Sequence, residues 1–124
     1  METNVTKFIN RLFESREQAH VFHLQSDTFA KHIALQEFYE GILDFVDSIV
    51  ETYQGQYELL GDYSMIEPND IDKSDVVKYF QELAEYVKAE RFNYFKKEDL
   101  HLQAIIDEVI AFIYQKLYKL RFLK

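Results

Sequence analysis

A chain of 124 residues with only three glycines and one proline has too few chain breakers for a fold of many short strands, while 48% hydrophobic residues suffice to bury one core. Fourteen basic against twenty-two acidic residues give a formal charge of −8, which opposes approach to a phosphate backbone, so DNA binding is not expected. The lack of cysteine excludes disulfides and thiolate ligands, and leaves imidazole, carboxylate and amide groups as the only side chains able to hold a metal.

From about Thr3 to Gln25, Ile9, Leu12, Phe13, Arg16, His20 and His23 recur at spacings of three and four, one face of an amphipathic helix. Ser26 and Asp27 read as N-cap residues of a second, longer helix that runs to about Gln54 and carries Phe29, Leu35, Phe38, Tyr39, Ile42, Leu43, Val46, Ile49 and Val50. Gly55 reads as its stop, and "YELLGDYSMIEPNDIDKS" after it, with Gly61, Pro68 and Asn69, reads as a long connection with room for one short helical turn. A third helix is expected from about Ser74 to Phe95, with Val76, Val77, Phe80, Leu83, Ala84, Val87 and Tyr94 on its apolar face. A fourth follows from about Glu98, with Leu102, Ile105, Ile106, Val109, Ile113, Leu117 and Leu120. Its end, "YQKLYKLRFLK", places cations where a helix C-terminus favours them.

Two tight hairpins joined by one long connection predict an all-α chain, a single four-helix-bundle domain over residues 1–124, with the connectivity of ferritin-like folds. No apolar run approaches the roughly 20 residues that span a bilayer, and "METNVTKFIN" lacks the pattern of a signal peptide, so a cytoplasmic protein with no membrane partner is expected. No nucleophile constellation and no phosphate-binding loop is present, which leaves hydrolase, kinase and nucleotide-binding readings without support.

The stretch "AHVFHLQSDTFAKH" concentrates His20, His23 and His32 around the first turn. Helices ending near Gln25 and starting near Asp27 put His20 and His32 each about five residues, or roughly 7.5 Å, from that turn and so at one level; His23 is closer to the turn and the less natural partner, a choice that a two-residue shift of the helix ends reverses. On the second helix His32, Gln36, Asp47 and Glu51 share a slowly drifting stripe with Tyr39 and Leu43. His32 and Asp47 stand about 22 Å apart along that helix and cannot meet within one chain. Two copies packed antiparallel about a two-fold axis near residues 39 to 42 would bring Asp47 and Glu51 of one chain to His32 of the other, with Gly41 near the axis to permit close approach. Imidazole and carboxylate together suit iron or zinc. Structural roles compete with this reading: hydrogen-bonded histidines at a bundle edge, and a solvated stripe of Asp44, Asp47 and Glu51. A further alternative is an intrachain di-iron site from the two ExxH patterns, Glu17 to His20 and Glu98 to His101.

His20, His32 twelve residues on, the pair Asp47 and Glu51, and Phe29 three before the second histidine together resemble the mini-ferritins, the DNA-binding proteins from starved cells called Dps, over roughly residues 12 to 55. The segment "HIALQEFYEGILDFVDSIVETYQG" is also similar to short ferritin-like proteins of tailed phages. The resemblance implies a ferroxidase site across a dimer interface, with His20 and His32 from one subunit, Asp47 and Glu51 from the other, and His23 and Gln36 as further candidates. It implies oxidation of Fe(II) by peroxide or oxygen, storage of the ferric product in a hollow homo-oligomer, and zinc as an alternative ion. Val21 stands where the family has Trp, and Gln36 where it has Asp, and the family's Lys-rich tail is missing. The alternative expectation is a non-enzymatic helical assembly or structural protein, phage-related, whose metal site is degraded at Gln36.

Overall fold

The computed structural model describes residues 2–64 and 75–123, with side chains from residue 5 onward. It contains four helices, α1 (Glu2–Gln25), α2 (Phe29–Gln56), α3 (Val76–Tyr94) and α4 (Leu100–Phe122), and no strand among the described residues. The described residues are thus all-α, in four helices. Pro68 and Asn69 of the expected long connection, and Ser74 as the start of the third helix, lie outside the described residues.

Local chemistry moves two helix ends from their expected places. Thr28, and neither Ser26 nor Asp27, caps α2: its backbone is extended and its hydroxyl accepts from the Lys31 amide at 3.3 Å. Gly55 does not stop the helix, since it has no positive φ, and α2 continues until Tyr57, whose amide still donates to the Tyr53 carbonyl at 2.8 Å. Phe29, expected on the apolar face, is the first residue of α2 and is 79% exposed, because it precedes the stretch that packs.

Aromatic contacts fix the helix directions. Phe8, near the start of α1, meets Tyr94 and Phe95 at the end of α3, while Phe22, near the end of α1, meets Tyr79 and Phe80 at its start. These two helices are therefore antiparallel. At one end of α2, Glu37 accepts from Lys116 and Lys119 of α4 at 3.0 and 2.7 Å; at the other, Gln56 donates to Asp99 just before α4. That pair is antiparallel as well, so α2 and α3 run the same way, and the end of α2 and the start of α3 lie at opposite ends of the bundle. The Tyr63 ring rests on Phe13, about halfway along α1, at 6.1 Å. The core is a column fed by all four helices, with Phe8, Phe22, Phe38, Phe80, Leu12, Ile42, Leu83 and Ile106 fully buried. No helix among the described residues is long and apolar enough to cross a membrane.

Gly41 serves this column. A Cβ added there would lie 2.7 Å from Cζ of Phe112, whose ring is held between Phe38 at 5.5 Å and Phe45 at 5.2 Å. The missing side chain lets α4 approach α2 within one chain. Gly41→Ala gains up to about 1 kcal/mol of helix propensity but must displace a wedged ring, and overpacking costs about 1–3 kcal/mol. The expected net result is a loss of about 1 kcal/mol, read by denaturant unfolding. Adding Phe112→Leu should reverse the sign of the Gly41→Ala step.

Candidate functional site

The end of α1 and the start of α2, joined by Ser26, Asp27 and Thr28, carry the histidines toward one another. His23, two residues before the end of α1, and His32, three residues into α2, stack with ring centroids 3.6 Å apart and planes at 23°. Each ring also bonds the other residue's backbone: His23 Nδ1 lies 2.7 Å from the His32 carbonyl oxygen and His32 Nδ1 3.0 Å from that of His23. Ser26 closes the group by donating its hydroxyl to the His23 carbonyl at 2.9 Å. One turn down, His20 stacks on Tyr39 at 4.3 Å and 21°, and the Arg16 guanidinium lies 5.9 Å from the same ring. His23 sits between the two pairs, 5.9 Å from His20 and edge-on to Tyr39 at 5.3 Å.

This corrects the expected level. His32 faces His23, and His20 faces Tyr39, because α2 begins at Phe29 and the turn falls later than a start at Asp27 would place it. The other candidates lie farther along α2: Gln36 is half-buried and donates to Glu40 at 3.3 Å, while Asp47 and Glu51 are exposed. The two ExxH patterns do not come together. Glu17 pairs with Arg16 near the histidine cluster, whereas His101 meets the Gln56 side chain at 2.6 Å at the opposite end of the bundle. Among the described residues, no group of three or more His, Asp or Glu side chains is placed to hold a metal ion within one chain. The His23 and His32 rings cannot chelate one ion as they stand, because imidazole donors lie in the ring plane and two stacked planes run side by side.

Sequence reasoning missed a second polar cluster at the far end. Asp99, buried in the N-cap position of α4, spends its carboxylate across the bundle on the Tyr57 hydroxyl and on the Gln56 amide at 3.0 Å, and not on its own helix. A groove of about 450 Å³ opens beside it, lined by Tyr53, Tyr57, Glu58, Phe92, Lys96 and Asp99 itself, and its two carboxylates are too few to form a metal-ligating group of three. The Tyr57 hydroxyl, and then the Gln56 amide, hold the Asp99 carboxyl below the usual range, and the same carboxylate followed by burial pushes Tyr57 up to about 12. A depressed carboxyl stabilises the fold above its unfolded value of about 3.9 and loses that contribution as pH falls through the folded one. A raised phenol stabilises below about 10 and loses its contribution as pH rises toward about 12. Asp99→Asn should therefore flatten the fall of Tm at both edges, below about pH 4 and above about pH 10. Parallel wild-type and mutant curves would show that the cluster is not coupled to folding.

Fold and clusters together define an all-helical four-helix protein whose first hairpin carries three histidines and a tyrosine in one row. Residues 23–120 match the Family of unknown function (DUF5856), and the chain belongs to that family. The matched span includes His23, His32 and all of α2 and starts after His20. No curated protein and no solved structure matches the chain.

Proposed function

We propose that the protein is a ferritin-like subunit that binds Fe(II) at a site shared by two copies of the chain, oxidises it with peroxide or oxygen, and retains the ferric product within a homo-oligomer. The observation that carries this reading is the outer face of α2, where the exposed Asp47 and Glu51 stand about 22 and about 28 Å along the helix from the half-buried His32, too far to meet it and free to meet the His32 of a mate. The up, down, down, up order of the four described helices supports the reading, since ferritin-like bundles have that order with one long crossover. With Gly41 committed to Phe112, the two-fold pairing rests on the register alone: His32 against Asp47 and Glu51 centres the axis near residues 39 to 42. In such a site His20 and His32 supply imidazole, and Asp47 and Glu51 supply hard carboxylate that favours the ferric state. Zinc suits the same donors as a redox-silent substitute.

The second reading, a non-enzymatic assembly protein, draws on Gln36, whose amide is bonded to Glu40 where a ligating acid would be needed. One experiment separates the two. Light scattering of the metal-free protein should give at least a dimer, and anaerobic Fe(II) titration followed by peroxide should give saturable ferric absorbance in the near ultraviolet. An oligomer with no saturable iron binding establishes the assembly reading, and a monodisperse monomer removes both. With a charge of −8, binding to duplex DNA at physiological salt is expected to be weaker than about 10 μM. A mobility shift at submicromolar protein would contradict this.

A further inference from the structure

We infer that His23 is a positioning residue for His32, holding that imidazole in one plane while the hairpin backbone holds it in one tautomer, so that Nε2 is presented as the donor to a divalent metal ion. The inference rests on the iron-binding reading above. A backbone carbonyl carries no proton, so the 3.0 Å contact between His32 Nδ1 and the His23 oxygen requires the hydrogen on the nitrogen. Ser26 does not disturb this assignment. Its hydroxyl donates to the His23 carbonyl at 2.9 Å, so at 3.4 Å from His32 Nδ1 it can only accept. The same logic run in reverse gives His23 an Nδ1–H donated to the His32 carbonyl at 2.7 Å. In a neutral imidazole protonated at Nδ1 the lone pair lies on Nε2, the form that ligates metals.

Two features assign the roles. His23 is only 7% exposed and is flanked by His20 and Tyr39, so its ring cannot swing out, whereas His32 is half-exposed at the hairpin surface. The 3.6 Å stack then transmits the fixed plane of His23 to His32. Outer partners that hydrogen-bond a ligand typically change metal affinity by about 10- to 100-fold, and a ring that orients the ligand by stacking is expected at the lower end of that range.

The test uses the full chain. Long-range nitrogen-15 NMR of metal-free protein at pH 8 should show His32 and His23 both as Nδ1–H tautomers; an Nε2–H tautomer at His32 overturns the inference whatever the mutants do. Zn(II) titration is the second arm. His23→Ala should weaken Zn(II) binding about 10-fold or more, and His23→Phe, which restores a flat ring against His32, should recover most of that loss. Unchanged Zn(II) affinity in His23→Ala, beside a wild type that binds, overturns this inference and leaves the iron-binding reading intact. A wild type that binds neither Zn(II) nor Fe(II) overturns both.

Discussion

Phe38→Ala is expected to remove about 3–5 kcal/mol of stability, the usual cost of emptying an aromatic site in a core that cannot collapse around it. Phe38 has no exposed surface, and its ring meets Phe80 of α3 at 4.9 Å and Phe112 of α4 at 5.5 Å. One side chain of α2 thus ties together the two helices of the second hairpin. Against a total of about 5–15 kcal/mol for a domain, the loss should lower Tm by roughly 10–20 °C. Phe38→Leu should cost much less, because most of the volume is retained. Phe29→Ala supplies the contrast: the ring is 79% exposed, so the change should fall within about 0.5 kcal/mol. Equal losses at the two positions, measured by denaturant unfolding, would place the core elsewhere than along this column.

Most of this column was legible because a helical period repeats the same information many times. Leu35, Phe38, Ile42, Val46 and Ile49 on α2, and Leu102, Ile106, Val109, Ile113, Leu117 and Leu120 on α4, were all expected on a core face and are all buried. Terminal residues carry no such redundancy. Phe29 satisfies the period but lies before the first packed turn, and Gly55 satisfies a stop rule that the backbone never needed, because no positive φ occurs there. The histidine pairing depended on those ends. Moving the cap from Asp27 to Thr28 shifts which residues stand opposite across a three-residue link, and it exchanges a His20 to His32 level for His23 against His32. The signal was present in Thr28 followed three residues later by a residue whose amide needs a cap, but Ser26 and Asp27 compete for the same assignment. Gly41 shows the opposite case. Its need for close approach was readable, and its partner was not, since a helix period does not say whether the neighbour across a glycine is Phe112 or a second chain. The Asp99 cluster had no sequence signal, because Tyr57 and Gln56 sit more than forty positions earlier and meet it only through the bundle.

The largest functional effect is expected from His32→Ala and Asp47→Ala, which should each abolish the metal-induced rise in Tm even though the two residues stand about 22 Å apart in one chain. If the donor set is complete only in the oligomer, Fe(II) or Zn(II) at 100 times its Kd stabilises the folded assembly by about 2.7 kcal/mol, a rise of roughly 10 °C for a chain of this size. His101→Ala should leave that rise intact, since His101 stands at the opposite end of the bundle against Gln56. Mixing the two mutants turns the geometry into a count. A heterodimer of His32→Ala with Asp47→Ala places both lesions in one shared site and none in the other, so that species should regain about half the metal capacity of a wild-type dimer. A site built within one chain would be broken in every copy and would regain nothing. Recovery on mixing, read by metal stoichiometry after unfolding and refolding the mutants together, would therefore establish a site shared between chains, and no recovery beside a wild type that binds metal would exclude the two-fold pairing of α2.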